Sequence, residues 1–182
     1  MAYRTQIRLG VKAPPAAVWD AMSDFSQWAD WNPYYPKAEG RMAIGAELEL
    51  TRDLGGKSES VVGTVVDWVP GEQLVWRRKL GLFAQSIAYI EIEGLSPTAS
   101  ILTVGEIFDG LIGQHVSKPR RRLLKAGMAA LGEALKSRAE ARWDGRPDET
   151  VVPIPVVHPA PKAKKASGPM QMSVFGRRGP AK

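Results

Sequence analysis

Glu106 is the residue of this 182-residue chain that best combines polar chemistry with an apolar setting. Around it the sequence reads Leu102-Thr103-Val104-Gly105-Glu106-Ile107-Phe108. Side chains alternate across a strand, so Leu102, Val104, Glu106 and Phe108 share one face. If that face packs on a core, the carboxylate is carried inside with it. Burying an unpaired carboxylate is costly, so the group must be paired, protonated or wetted. Arg78 shares a face with Leu74 and Trp76 in an earlier strand, and the alternation makes it the expected partner. Such a pair has two uses: to orient the polar end of a bound molecule, or to let Glu106 move a proton as general acid or base. The plainer alternatives are a salt bridge at the rim, or a carboxylate near a helix N-terminus, where the helix dipole favours it.

Residue supply excludes most other chemistry. There is no cysteine, hence no disulfide, thiolate metal site or cysteine nucleophile. The two histidines are His115 and His158, and no carboxylate cluster has ligand spacing, so neither a metal nor a cofactor is expected. His115 reads as a surface or capping histidine, because Ser117 is too close in sequence to build a triad with it. Gly56-Lys57-Ser58 is similar to the end of a phosphate-binding loop, but Thr51 stands where the first glycine belongs, and a hairpin follows where a helix is needed.

Charge points the same way. The net charge is +6, yet residues 1–143 hold 18 Lys/Arg against 16 Asp/Glu, whereas residues 144–182 hold 7 against 3. The run Lys118, Arg120, Arg121, Arg122 and Lys125 has no interleaved aromatics, so it reads as the solvated side of a helix. No nucleic-acid partner is expected.

The elements that must position Glu106 follow from periodicity. Thr5 to Val11 alternates as a half-buried strand. Pro14-Pro15 opens a short helix carrying Val18, Trp19 and Met22. Ser23 and Asp24 cap a second, which carries Trp28 and ends at Trp31-Asn32-Pro33. Strands follow around Leu48 and Leu50, Val61 to Trp68, Leu74 to Trp76, Ile87 to Glu93 and Ile101 to Phe108. Leu54-Gly55-Gly56-Lys57 and Val69-Pro70-Gly71-Glu72 are turns, the latter type II. From Arg120 to Arg142, Leu124, Met128, Leu131, Leu135 and Ala139 mark one apolar helix face, which Pro119 begins or kinks. Gly127 and Gly132 cost that helix about 1 kcal/mol each against alanine, so they serve either close approach to the sheet or room for a ligand. A sheet of about six or seven strands needs cover, and only this helix is long enough.

This order resembles the SRPBCC superfamily, also called START-like or Bet v 1-like. Ala13-Pro14-Pro15-Ala16-Ala17-Val18-Trp19 is similar to its opening strand-to-helix step, and Asp24 to Tyr34, through Trp31-Asn32-Pro33, to its second-helix signature. Gly81-Leu82-Phe83, Gly105 to Ile112 and Ala134 to Glu140 resemble the entry to the penultimate strand, the last-strand junction and the helix end. The resemblance implies an α+β helix-grip fold over about residues 3–142, with a curved antiparallel sheet around the long helix and two short helices after the first strand. Val104 stands where many relatives carry histidine, which weighs against a reaction using that residue.

The expected layout is one domain over residues 1–143 and a disordered Pro/Lys-rich tail over 144–182. The expected function is to bind or carry a small hydrophobic molecule (lipid, polyketide or aromatic metabolite) in an internal cavity. Its walls would be Trp76, Leu102, Val104, Phe108, Leu124, Met128 and Leu131, with Trp31 at the mouth and Arg78 and Glu106 as polar groups. One alternative is a cyclase/dehydratase-like enzyme with Glu106 as acid/base. Another is an accessory protein whose basic tail recruits a protein partner or an anionic membrane surface. No apolar leader opens the sequence, so a cytoplasmic location is expected.

Overall fold

The alternation of the first segment becomes strand β1 (Tyr3–Val11) in a computed structural model that describes residues 2–110 and 116–143. Helix α1 (Pro15–Met22) starts on proline, which supplies a helical φ and lacks only an N–H that has no partner in a first turn. A 3₁₀ turn (Phe25–Gln27) follows, capped by Asp24, whose carboxylate accepts the Ser26 N–H at 3.0 Å. It leads into α2 (Trp28–Trp31). Six strands come next: β2 (Lys37–Gly40), β3 (Glu47–Asp53), β4 (Ser58–Val69), β5 (Gln73–Gly81), β6 (Ala84–Ser96) and β7 (Ala99–Gly110). The last element is the long helix α3 (Lys118–Arg142).

All seven strands form one antiparallel sheet in the order β1-β7-β6-β5-β4-β3-β2. β7 is therefore an inner strand, with Ile7 opposite Val104 on one side and Ile90 opposite Val104 on the other. The expected helix-grip arrangement is present. β2 is the strand that periodicity missed, because only Ala38 of its four residues is buried and no alternation can develop.

The turns take their expected forms. Gly71 has φ +82° and the Glu72 N–H bonds to the Val69 carbonyl at 3.0 Å, as a type II turn requires. The Leu54 N–H bonds to the Lys57 carbonyl at 2.9 Å across Gly55 and Gly56. α3 starts on Ser117, whose hydroxyl accepts the Arg120 N–H at 3.4 Å, so Pro119 lies in its first turn and begins the helix. Its buried stripe is Leu124, Met128, Leu131, Leu135 and Ala139, with Gly132 beside it.

Both helix glycines serve close approach. A Cβ on Gly132 would lie 2.6 Å from Ile7 and 2.8 Å from Leu9 of β1, and one on Gly127 would run into the Tyr34 ring. Among the described residues, no helix is long and apolar enough to cross a membrane. The tail expected over 144–182 and residues 111–115, with the histidine expected at a surface or cap, lie outside the described residues.

Gly127→Ala tests the packing of Tyr34 on the helix. Alanine gains helix propensity but collides with a buried ring, and overpacking of this kind costs about 1–3 kcal/mol. Urea denaturation is expected to show a net loss of stability. A gain would mean that Tyr34 does not press on the helix.

Candidate functional site

Alternation in β3 turns Leu48, Leu50 and Arg52 to the concave face, and Arg52 has 0% of its surface exposed. Its guanidinium bridges two carboxylates. Nη1 donates to Glu106 Oε2 at 2.9 Å, and Nη2 donates to Glu59 Oε2 at 2.8 Å. Glu59 faces Arg52 directly across the β3–β4 pair. Its Oε1 accepts from Arg120 Nη2 at 2.6 Å, and Arg120 lies in the first turn of α3. A chain of alternating charge, Glu106–Arg52–Glu59–Arg120, thus runs from β7, beside the β1 edge, to the start of the helix.

The partner of Glu106 is therefore Arg52, which corrects the expected pairing with Arg78. Register explains the miss. Trp76, Ala88 and Glu106 form one cross-strand row, whereas Arg78, Ser86 and Phe108 form the next. β3 and β7 stand four steps apart in the sheet, about 19 Å if it were flat. The curl of the sheet and the length of the arginine close that distance. Arg78 is half-buried and makes neither an ion pair nor a hydrogen bond among the described residues.

Two tyrosines complete the site. Asn32 Oδ1 accepts the backbone N–H groups of Tyr34 and Tyr35 at 3.1 and 2.9 Å, an Asx turn that sends the chain inward after Pro33. The two rings lie 4.6 Å apart, and Tyr35 continues to Trp76 at 6.0 Å and Trp28 at 6.1 Å. The Arg52 guanidinium stands 6.0 Å from the Tyr34 ring. The Tyr34 hydroxyl is buried and has no hydrogen-bond partner among the described residues.

Electrostatics follow from burial and charge. Burial pushes both tyrosine hydroxyls well above their usual range, so they stay protonated at neutral pH. Burial opposes the charge on Arg52, but the surrounding tyrosines and carboxylates hold its pKa above the ordinary value. Burial also pushes Glu59 up, yet hydrogen bonds from Arg52 and Arg120 outweigh it and hold the carboxyl below the usual range. Arg78 is lowered by burial and then by the nearby charge of Arg52.

Trp76, Leu102, Val104, Glu106, Phe108, Leu124, Met128 and Leu131 are all buried in the interior between sheet and helix. Trp31 sits elsewhere. It packs on Trp28 at 5.8 Å and under the Arg138 guanidinium at 5.7 Å. Arg138 is eighteen residues beyond Arg120, about 27 Å along the helix, so Trp31 does not join the Glu106 group. The basic run is split: Lys118, Arg122 and Lys125 are exposed, but Arg120 holds Glu59 and Arg121 covers the Tyr3 ring at 4.3 Å.

Tyr34, Tyr35 and Trp76 are buried side chains that take up part of the interior expected to hold a cavity. Among the described residues, surface grooves of about 400 Å³ lie between Phe25 and β2 and at the β5–β6 hairpin. Sequence reasoning missed Arg52, Glu59, Arg120 and the two tyrosines as members of the site. Arg52 carried the same signal as Arg78, a basic residue in register with buried leucines.

Residues 5–140 match the family described as Polyketide cyclase / dehydrase and lipid transport. Among curated proteins, none matches the chain in sequence. Solved structures do match in fold. The ZhuI aromatase/cyclase from a Streptomyces strain is 19% identical with a TM-score of 0.62, over 78% of this chain and 96% of that one. A START superfamily protein from Mycobacterium smegmatis is 19% identical with a TM-score of 0.61, over 78% and 99%. A norcoclaurine synthase point mutant from Thalictrum flavum, in complex with a transition-state analogue, is 13% identical with a TM-score of 0.61, over 78% and 96%. At these identities the likeness is one of fold.

Two measurements probe the charge chain. Arg52→Met strands Glu106 in the interior and is expected to cost about 3–5 kcal/mol in urea denaturation, whereas adding Glu106→Leu should restore most of it. Equal losses in the single and double variants would show that the pair is not what holds this region. Glu59 has a depressed folded pKa, so its contribution is present above the unfolded value of 4.5 and is lost as pH falls through the folded one. Glu59→Gln should therefore flatten the acid limb of the stability profile below about pH 4.5 relative to the parent chain.

Proposed function

The chain belongs to the polyketide cyclase / dehydrase and lipid transport family, and from that premise we propose that it binds a small hydrophobic molecule between α3 and the concave face of the sheet. The polar end of that molecule is read by the charge chain at the helix start. The observation that carries this reading is the Arg52–Glu106 pair, 0% and 2% exposed, in an interior otherwise built of aromatic and aliphatic side chains. Buried ion pairs are poor sources of stability, because desolvation of the two charges offsets most of their attraction. Apolar residues of the same volume would hold the fold as well, so the pair is better explained by what it recognises.

Entry requires the tyrosine wedge to move. Tyr34 and Tyr35 lie in the short connection between α2 and β2, held at its start by the Asn32 turn. Withdrawing Tyr34 returns its unpartnered hydroxyl to water, and an unsatisfied buried hydroxyl costs about 1–3 kcal/mol. That gain offsets part of the packing energy the ring gives up. A ligand body then takes the place of the ring beside Trp76 and Met128, at about 25 cal/mol per Å² of apolar surface buried.

The enzyme reading, with Glu106 moving a proton, draws support from the cyclase in the family description. The ion pair with Arg52 ties up that carboxylate, so binding stands first.

The test is saturable uptake of a solvatochromic naphthalene sulfonate dye by the folded protein, with displacement by fatty acid or polycyclic aromatic competitors. Tyr34→Ala is expected to raise dye affinity about tenfold, since it leaves the wedge half empty, whereas the exposed-site variant Leu123→Ser should not change it. No saturable uptake in either the parent chain or Tyr34→Ala would end the proposal.

A further inference from the structure

We infer that the molecule held at this site is an organic acid, an apolar body ending in a carboxylate. The inference rests on the binding reading above and adds the chemical class of the ligand. It follows from where positive charge is left over.

Three guanidinium groups, Arg52, Arg78 and Arg120, surround two carboxylates, Glu59 and Glu106. Arg52 and Arg120 use both carboxylates, as described. Arg78 is left with neither an ion pair nor a hydrogen bond among the described residues. A cation pointed along the inner face of a sheet and half withdrawn from water without a partner is an unfavourable arrangement for a folded protein to keep. Its neighbours make the place a socket. Arg78 lies opposite Ser86, which is buried, and Ser86 lies opposite Phe108, which stacks on Tyr3 at 6.0 Å. The row therefore runs from a guanidinium at one end to a stacked aromatic pair, Phe108 on Tyr3, at the other.

One further feature adds to the positive field. α3 begins at this end with Arg120 and no acidic residue in its first turn, so the helix dipole is not compensated there. An anionic oxygen entering beside β5 meets the free fork of Arg78.

Magnitudes select the class. A guanidinium–carboxylate pair is charge-assisted and bidentate, roughly twice as strong as a neutral hydrogen bond. An alcohol, ketone or ester would leave the excess charge uncompensated. A phosphate monoester carries up to two negative charges and overshoots the one that is missing.

The experiment compares 2-naphthoate with its methyl ester at pH 7.5, using the full chain and following naphthalene fluorescence. The parent protein is expected to bind the acid at least tenfold more tightly than the ester. Arg78→Gln should remove that preference while leaving ester affinity within twofold, and Arg78→Lys should restore part of it. Thermal melts of both variants confirm that they fold. Equal affinity for acid and ester, or a preference that survives Arg78→Gln, overturns the carboxylate assignment but leaves the binding site standing. If neither probe binds while the dye still does, the carboxylate assignment falls and the binding site stands; if the dye shows no saturable uptake either, both conclusions fall together.

Discussion

A guanidinium with no exposed surface has to be neutralised where it stands, and Arg52 imposes that condition on much of this domain. Removing such a charge from water costs several kcal/mol, and the cost is met only if anionic oxygens lie within hydrogen-bond distance. One comes from the neighbouring strand, Glu59 on β4, and needs only the β3–β4 hairpin. The other, Glu106, comes from β7, four steps away, and needs the sheet to curl. The same curl makes the concave seat that α3 fills. Arg120 then fastens the helix start to Glu59, so sheet curvature and helix position are tied through one side chain.

The two faces of the sheet are finished differently. On the convex side Tyr89 lies flat over Gly105, where a Cβ would run into its ring. Its hydroxyl donates to Gln6 Oε1 at 2.9 Å and accepts from Arg4 Nε at 3.1 Å, so it is satisfied in both directions. The concave side is also close-packed, with Gly63 making way for Trp76 and Gly127 for Tyr34. Yet among the described residues it keeps an unpartnered hydroxyl on Tyr34 and an unpaired cation on Arg78. The buried Tyr34 hydroxyl in particular calls for an explanation, because polar groups inside a protein are normally hydrogen-bonded.

How much of this was legible in the sequence depends on the range of the interaction. Local signals carried the elements: alternation in β1 and β7, the Pro70-Gly71 turn, and the 3.6-residue stripe of α3 through Leu124, Met128, Leu131 and Leu135. β2 failed because four residues with one buried side chain hold no period. The interior position of Glu106 was readable from parity alone. Its partner was not, because Arg52 and Arg78 both satisfy parity and only the curvature of the whole sheet decides between them. The tyrosine wedge was invisible for another reason. Tyr34 and Tyr35 belong to no periodic element, and they turn inward only because Asn32 caps their backbone and Gly127 leaves them space.

The polar groups of the interior are mostly hydrogen-bond donors. Arg52 and Arg78 are donors with no acceptor capacity, and burial keeps the hydroxyls of Tyr34 and Tyr35 protonated. Glu106, the fully buried carboxylate, receives a guanidinium hydrogen bond at 2.9 Å. Loss of that pair would leave Arg52 with Glu59 alone in a medium that penalises unpaired charge. The cluster is thus a set of fixed donors around a carboxylate already in use. Such a set presents hydrogen-bond donors to any oxygen acceptor that reaches it.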